Sequence, residues 1–311
     1  MNTLDEQYKN IIRDVLANGL PKQNTISVTG HMIKHDMRHG FPIITAKFVP
    51  FRLVATELEF FIKGGHDKSW LQSRKCNIWN GWCNPRKVPS ALRKNSEKLR
   101  EFQAKETDLG EIYGYQWNNF DKPLNRLKYY LRRMFLRDKF INQIDYVLAE
   151  LKNNPSSRRL MVSAWNPNRI DHMALPPCTF AWQASVRGEF IDLVWYQRSC
   201  DVFLGLPFDI ASHGILLSLL ANESGFIPGT LTGFLADTHI YQNHVEQVKQ
   251  LLELPSYDLP TIKFEDGYDR VRTFRADKAM LEGYQHGPTI TGEVSVNQPV
   301  FSISGDGAEV A

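Results

Sequence analysis

The spacing of apolar residues divides the first part of the chain into helical and extended segments. Apolar side chains recur every three or four positions over residues 4–20, which predicts an amphipathic helix that ends at Gly19. Alternation of apolar and polar residues over 25–33 predicts a strand. Two further helices are predicted, a buried one over 51–65 that ends at two glycines and an aromatic-rich one over 69–82.

The remaining chain mixes the same two periodicities. Helices are predicted over residues 141–154 and 210–225, and the second is the most hydrophobic helix of the chain. Residues 179–199 have the pattern of a hairpin, two β-rich runs around the turn Arg-Gly-Glu. Further strands are predicted at 160–167, at the start of 229–254, which continues as a helix, and at 261–265. Because strands and helices do not alternate regularly, the predicted fold class is α+β.

Length and composition favour one large domain with a polar insertion. The chain has 311 residues, of which 42% are hydrophobic, so it can bury a large core. No linker rich in Gly, Ser or Pro divides it. Residues 84–107 are charged and poor in large apolar side chains. They are predicted to be a surface insertion without the means to form a core of its own.

Charge and cysteine usage narrow the class of protein. A net charge of +3 is too weak to predict nucleic-acid binding, although it suits a small anionic substrate. The four cysteines show neither a CxxC pair nor metal-ligand spacing, so no metal is expected. There is no secretory leader and no apolar run long enough to span a membrane. We therefore expect a soluble cytoplasmic protein with no membrane partner and no requirement for nucleic acid.

Cys178 is a candidate nucleophile. Two prolines precede it in "MALPPCTF", so the backbone holds the thiol at a turn into a predicted strand. A reactive thiolate needs cationic neighbours that lower its pKa, and arginines are available elsewhere in the chain. A buried structural cysteine is the alternative interpretation of the same pattern.

Two pairs of residues could bind a phosphate. Arg158 and Arg159 are adjacent in a polar turn, and Arg198 is followed by Ser199. Guanidinium forks and a hydroxyl group suit a phosphate dianion. Each pair could equally belong to a solvated turn with local salt bridges.

A polar trio alternates along a predicted strand. Asp237, His239 and Tyr241 therefore share one face of that strand. Either a binding site or a satisfied hydrogen-bond network explains such a trio. His239 and His244 lack the HExxH spacing of a zinc protease.

Eight segments in order resemble one known family. By these segments the chain is similar to thymidylate synthases and their C5-pyrimidine relatives over residues 5 to 296. The resemblance implies a single catalytic domain of that fold over 1–296, a mixed sheet packed with helices, and a homodimer formed through the sheet. Residues 297–311 would be a C-terminal extension. The segments are FPIITAKF, IWNGW, DLGEIYGYQW, NNPSSRRLMVSAWNP, MALPPCTF, YQRSCDVFLGLPFDIASH, ADTHIYQNHVEQ and PTITGEVSV.

The resemblance implies transfer of a one-carbon unit from 5,10-methylenetetrahydrofolate to C5 of a pyrimidine deoxynucleotide. Cys178 would be the nucleophile that adds to C6 of the base. Glu57 would organise water and proton transfer, and Tyr113 would place a phenol near the nucleophile. Arg198 and Asp201 complete the catalytic residues that the resemblance implies.

The same resemblance implies the two ligand sites. Two arginines from the partner subunit would share the phosphate with an arginine and a serine of the first subunit, and a histidine and a tyrosine would bind the sugar 3'-hydroxyl. The implied substrate-binding residues are Arg158, Arg159, Gln197, Arg198, Ser199, Asp209, His239 and Tyr241. The implied folate-binding residues are Lys47, Trp79, Trp82, Leu175, Asp201, Gly205 and Phe208.

Three departures from the thymidylate synthase pattern change the expected substrate and product. Asp209 stands where these synthases carry asparagine, and a carboxylate suits the amino group and the protonated N3 of cytosine. Thr179 replaces the histidine that follows the nucleophile. The chain continues past Val296, and the segment "PKQNTISVTG" is shorter than its counterpart and lacks arginine. With aspartate at 209 and threonine at 179, the chain resembles the deoxycytidylate hydroxymethylases of phages at these two positions.

These departures favour 5-hydroxymethylation of dCMP. The retained "IWNGW" aromatics also fit a dCMP methyltransferase that would release dihydrofolate. A thymidylate synthase or a dUMP hydroxymethylase is a further alternative, and a catalytically inactive RNA-binding regulator is the non-enzymatic one. The type of product stays open from the sequence.

Overall fold

A computed structural model describes residues 2–120 and 141–294 of the chain. The expected C-terminal extension over 297–311 lies outside these residues. A single domain over 1–296 stays a prediction, because contacts within the described chain group into two compact units. We call them the sheet unit, which comprises residues 2–59, 147–162 and 178–294, and the aromatic unit, which comprises residues 60–120, 141–146 and 163–177.

Eight α-helices and eight strands lie in the described part of the chain. The helices are α1 (Thr3–Asn18), α2 (Phe51–Ile62), α3 (Ser69–Gln72), α4 (Ser96–Lys105), α5 (Tyr113–Asn119), α6 (Gln143–Asn153), α7 (Gly205–Ser224) and α8 (Val245–Leu252). The strands are β1 (Leu20–Lys22), β2 (Thr25–Asp36), β3 (Met161–Ser163), β4 (Thr179–Arg187), β5 (Phe190–Asp201), β6 (Ile227–Tyr241), β7 (Thr261–Phe264) and β8 (Ala279–Glu282). The predicted α+β class is confirmed, with helices packed on a mixed sheet.

A six-stranded sheet has the order β1-β2-β6-β5-β4-β3. β2 pairs with β6, and β4 with β5, in antiparallel fashion, whereas β5 and β6 run parallel. A parallel pair needs a crossover, and α7 supplies it. This helix is buried along most of its length, which is why the sequence there is apolar on all sides. The parallel pair and α7 bring the ends of β5 and β6 and the start of α7 into one region.

Residues that commonly cap helices lie at the ends of α1 and α7. The Asn2 side chain accepts hydrogen bonds from the backbone N–H groups of Leu4 and Asp5, so it caps α1. Gly19 ends that helix as predicted, and its N–H bonds the Val15 carbonyl. Gly225, at φ 76°, ends α7 in the left-handed region that glycine adopts readily.

Two predictions were wrong. The aromatic-rich helix expected over 69–82 is limited to α3, and the rest of that segment forms turns. The segment over 84–107 was expected to lack the means to form a core, but it contains α4 and forms a small hydrophobic core together with Cys83, which precedes it; its place as a surface insertion stays a prediction. This core consists of Cys83, Val88 and Leu99, with Leu92 and Phe102 packed against it. Few apolar residues suffice because Leu99 and Phe102, three positions apart on α4, meet the apolar residues that precede the helix.

Candidate functional site

Cys178 lies directly before β4 and is half-buried. Its backbone carbonyl accepts a hydrogen bond from the N–H of Arg198 at 2.9 Å. The β4–β5 pairing therefore places the candidate nucleophile next to a candidate phosphate ligand, although they are twenty residues apart in sequence. Cys200, in contrast, is fully buried, and burial raises the pKa of its thiol well above the ordinary value.

Asp209 lies in the first turns of α7 and faces two side-chain donors. Its Oδ2 accepts a hydrogen bond from Gln197 Nε2 at 2.8 Å. Its Oδ1 accepts one from Thr179 Oγ1 at 3.3 Å. Since Thr179 follows Cys178, these contacts place the Asp209 carboxyl group close to the candidate nucleophile.

The environment of Asp209 favours its protonated form. Burial raises the pKa of this carboxyl group from its ordinary value of 3.8 to about 7, and the negative charges of Glu57 and Asp201 add to the rise. The hydrogen bonds from Gln197 and Thr179 oppose it. Asp209 can therefore act either as an acceptor or as a donor near neutral pH.

Asp201 and Lys47 organise the turn that leads into α7. Asp201 Oδ1 accepts hydrogen bonds from the N–H groups of Phe203 at 3.0 Å and Leu204 at 3.2 Å. The buried Lys47 donates to the Phe203 carbonyl at 2.5 Å, and its ammonium lies 4.0 Å from the centre of the Phe203 ring. Burial lowers the pKa of Lys47 to about 8, partly offset by the charge of Asp201. The two expected folate ligands thus stabilise the segment before Gly205.

The polar trio of β6 lies beside the end of β5. Asp237 is the register partner of Ser199, and His239 is the partner of Asp201. The His239 ring meets Tyr241 edge-on at 5.3 Å, and its Nδ1 lies 3.2 Å from the Asp237 carbonyl. The alternation predicted a shared face, and these contacts confirm it.

Arg158 and Arg159 lie in the turn between α6 and β3, and both are exposed. Neither forms an ion pair with another described residue. The Arg158 carbonyl accepts a long hydrogen bond from Gln183 of β4 at 3.5 Å. Both guanidinium groups therefore face solvent at the β4 side of the sheet.

The aromatic unit contains four of the expected residues, Trp79, Trp82, Tyr113 and Leu175, whereas Glu57, Gly205 and Phe208 lie in the sheet unit. Tyr113 begins α5 and stacks on Phe61, with ring centres 4.8 Å apart. Gly114 permits this approach, because any side chain there would collide with the Phe61 backbone. Trp79 meets Tyr113 edge-on at 6.0 Å and Trp82 at 5.8 Å.

A buried lysine fixes the turn that contains these tryptophans. Lys68 Nζ donates to the carbonyls of Asn80 at 3.0 Å, Trp82 at 2.8 Å and Gln103 at 2.5 Å. An ammonium group has three N–H donors, so all three are used. These bonds explain why residues 73–82 form turns instead of the predicted helix.

The aromatic unit offers one unused donor and an apolar surface. The indole N–H of Trp82 is buried and has no hydrogen-bond partner among the described residues. Such a donor suits a polar edge of a flat ligand, and the half-buried Leu175 offers an apolar surface. In the described ranges no cluster of His, Cys, Asp and Glu could hold a metal ion. No helix in those ranges is long and apolar enough to cross a membrane.

Three buried residues, one in the aromatic unit and two in the sheet unit, were not predicted from the sequence. Lys68, Trp195 and His213 are all buried, and their functions depend on partners distant in the chain. A lysine surrounded by polar residues and a tryptophan in an apolar strand are unremarkable in sequence. No signal in the sequence could have identified them.

Comparison with known proteins gives a consistent picture. A profile described as thymidylate synthase matches residues 6–296. The chain is also 36% identical over 305 residues to a protein named thymidylate synthase from Mycoplasma genitalium. That match covers 94% of this chain and the full length of the relative.

Proposed function

We propose that this chain, which belongs to the thymidylate synthase family, transfers a one-carbon unit from methylenetetrahydrofolate to C5 of dCMP and forms the 5-hydroxymethyl product. The observation that carries the proposal is the carboxyl group of Asp209, with Gln197 and Thr179 as its donors. Cytosine presents an amino donor at C4, whereas uracil presents an acceptor there. An ionised Asp209 accepts from that amino group, and it accepts from N3 once N3 is protonated.

The arrangement around Cys178 supports covalent catalysis. Attack of the thiolate on C6 forms a sulfur–carbon bond, and the electron pair of the C5=C6 bond moves to C5. C5 would then bond to the methylene carbon of methylenetetrahydrofolate as one carbon–nitrogen bond of the folate breaks. Loss of the C5 proton and departure of tetrahydrofolate with the electron pair of the second carbon–nitrogen bond would leave an exocyclic methylene, to which water adds as the Cys178 thiolate leaves C6. Glu57 lies close enough to influence the charge of Asp209, and it is the proposed group for proton transfer. Tyr113 and Asp201 are proposed to assist these steps.

The nucleotide phosphate and sugar would bind beside the base. The backbone N–H of Arg198 bonds the Cys178 carbonyl, and Ser199 is the next residue of β5. His239 and Tyr241 lie on the neighbouring strand β6. Arg198 and Ser199 are proposed to bind the phosphate. His239 and Tyr241 are proposed to bind the sugar hydroxyl, which would favour a deoxyribonucleotide.

A homodimer through the sheet would complete the phosphate site. Met32 and Phe234 are register partners on neighbouring strands, and they are 54% and 46% exposed. Tyr196 stacks on Phe234 with ring centres 5.9 Å apart, which extends an apolar face across three strands. Burial of this face between two copies would bring Arg158 and Arg159 of one copy to the other.

The folate would contact aromatic and apolar groups. Trp79, Trp82 and Leu175 of the aromatic unit are proposed to bind it. From the sheet unit, Lys47, Asp201, Gly205 and Phe208 are proposed to contribute. Lys47 and Asp201 already bond the backbone around Phe203, so we propose that they act mainly by holding this segment in place.

The alternative is a methylating enzyme. The relative from Mycoplasma genitalium is named thymidylate synthase, and the aromatic pair Trp79 and Trp82 is present here. Hydride transfer would give a methyl group and dihydrofolate, whereas water would give a hydroxymethyl group and leave tetrahydrofolate. dCMP methylation and dUMP methylation are therefore the competing activities.

One experiment separates these activities. The protein is incubated with methylenetetrahydrofolate and either dCMP or dUMP, and the nucleotide is analysed by mass spectrometry while dihydrofolate absorbance is followed. We expect hydroxymethyl-dCMP and no dihydrofolate. Methylated base with stoichiometric dihydrofolate would assign the methyltransferase reaction, and preference for dUMP would contradict dCMP selection.

A further inference from the structure

A row of hydrogen bonds behind Asp209 connects it to the core of the sheet unit. The indole Nε1–H of Trp195 donates to Gln197 Oε1 at 3.1 Å. Gln197 Nε2 in turn donates to the Ser199 carbonyl at 3.1 Å and to Asp209 Oδ2 at 2.8 Å. Trp195 is 1% exposed and Gln197 2%, so water does not compete for these bonds.

The chemistry of the partners determines the orientation of the Gln197 amide. An indole N–H can only donate, and a backbone carbonyl can only accept. If the amide were turned over, its NH₂ group would face the Trp195 donor and its oxygen would face the Ser199 carbonyl. Both contacts would be repulsive. Gln197 must therefore present a donor to Asp209.

This orientation gives the two Asp209 oxygens different hydrogen-bonding roles. Oδ2 faces an N–H donor and stays an acceptor whether or not the carboxyl group is protonated. A proton on Asp209 must therefore reside on Oδ1. Thr179 Oγ1, 3.3 Å from Oδ1, can donate or accept and thus tolerates both states.

His213 holds Trp195 in place. The two rings stack with centres 5.0 Å apart and planes 11° from parallel. His213 Nδ1 also lies 2.7 Å from the Asp209 carbonyl, so Nδ1 carries the proton and donates. Burial lowers the pKa of His213 to about 4, and the ring is therefore neutral at neutral pH. The connected residues thus begin and end at Asp209.

We infer that Trp195 is a positioning residue for base selection, because it holds the Gln197 amide, keeps Asp209 Oδ2 an acceptor and leaves Oδ1 to read the C4 edge of the base. The inference rests on the proposed function, in which Asp209 meets that edge. The charged groups that act on Asp209 are the carboxylates of Glu57 and Asp201. The indole N–H of Trp195 donates to Gln197, so its effect on selectivity would pass through Gln197.

The test uses Trp195→Phe, which keeps a ring beside His213 and removes the indole donor. kcat/KM for dCMP and dUMP is measured from about pH 5 to about pH 9. In the wild type the dCMP/dUMP ratio should rise with pH as Asp209 ionises. In the variant Gln197 Oε1 loses its donor, so the Ser199 carbonyl alone still orients the amide, and its N–H stabilises ionised Asp209 less firmly. The midpoint should move up by about 0.5 pH unit or more, and the ratio at neutral pH should fall about threefold or more.

Trp182→Phe is the matched control. Trp182 is the register partner of Trp195 on β4 and is also 1% exposed. Trp182→Phe changes the side-chain volume by the same amount, but Trp182 forms no hydrogen bond with Gln197. Its midpoint should equal that of the wild type. An equal shift in both variants would mean a general packing effect and would overturn the inference.

Further variants cover the other outcomes. Should Trp195→Phe not fold, Gln197→Glu presents two acceptor oxygens and should raise the midpoint, and no rise would overturn the inference. Asp209→Asn distinguishes a failure of base reading by Asp209 from a failure of the role inferred for Trp195. Unchanged selectivity in Asp209→Asn would refute base reading by Asp209 itself. Changed selectivity there, with a wild-type profile in Trp195→Phe, would refute only the role of Trp195.

Discussion

The two compact units hold their candidate site residues by different kinds of bond. In the sheet unit, side chains hold Asp209, and its two donors are Gln197 and Thr179. In the aromatic unit, the ammonium group of Lys68 bonds three backbone carbonyls. Single substitutions can change a side-chain network, which would suit the base recognition that we propose for Asp209. A backbone anchor is insensitive to the side chains of its loop, but it is lost completely with the lysine.

The largest expected effect separates chemistry from base recognition. Cys178→Ser should lower kcat by roughly a thousandfold or more, since the covalent step is lost, while dCMP binding is largely kept. Steady-state turnover and calorimetric titration with dCMP measure the two quantities. Cys200→Ala is the control, because Cys200 is fully buried and should not react. More than a tenth of wild-type turnover in Cys178→Ser would remove Cys178 from this role.

The second effect tests the backbone anchor. Lys68→Met leaves three carbonyls without their donor and should lower the free energy of unfolding by about 3 kcal/mol or more. The KM for the folate should rise as the turn carrying Trp79 and Trp82 loosens. Chemical denaturation and steady-state kinetics measure these changes. Lys87→Met, at an exposed lysine of the same unit, should leave both unchanged. Equal stability of the two variants would show that the anchor is unimportant.

The third effect tests the side-chain network. Asp209→Asn should lower the ratio of kcat/KM for dCMP over dUMP by at least about tenfold, because an amide donor suits uracil O4 and mismatched polar groups cost about 1–3 kcal/mol each. Competition between the two nucleotides measures the ratio directly. Mass spectrometry of the products identifies the base that reacts. An unchanged ratio, or a wild-type preference for dUMP, would contradict dCMP selection.

The fourth effect concerns stability and pH. The pKa of Asp209 is about 7 in the folded protein and near its ordinary value of 3.8 in the unfolded chain. Between these values the folded state holds a proton that the unfolded state has released. Raising the pH through this window therefore lowers the stability of the wild type relative to Asp209→Asn, by up to about 1.4 kcal/mol per pH unit. Denaturant unfolding of both proteins at several pH values checks the sign, and parallel curves would contradict it.

Sequence periodicity predicted much of the sheet unit. The helix that became α1 and the hairpin of β4 and β5 were both expected, because each shows a clear pattern of apolar residues. The turns of residues 73–82 were mistaken for a helix, since their aromatic residues mimic a helical face and the Lys68 bonds are invisible in sequence. β8 was not expected either, because it depends on pairing with β7.

The sequence indicated candidate site residues for a similar reason, and their roles stay predictions. Short motifs identified Cys178 and Asp209, and the fold brings their neighbours Thr179 and Gln197 together. The role of Trp195 depends on a hydrogen bond within β5 and on a ring from α7. Such a role requires coordinates, because a tryptophan in a strand usually signals only packing.

The pairing of β2 with β6 has a consequence for synthesis of the protein. Thr25 pairs with Tyr241 and Asp36 with Thr230, so β2 leaves the ribosome long before its central partner exists. At about 5–20 residues per second, the wait for the intervening residues lasts roughly 10–40 s. During that time the backbone N–H and C=O groups of β2 on that side have no partner strand, and an edge of this kind is prone to pair with other chains. Slower elongation would lengthen this exposure and so lower the yield of soluble protein.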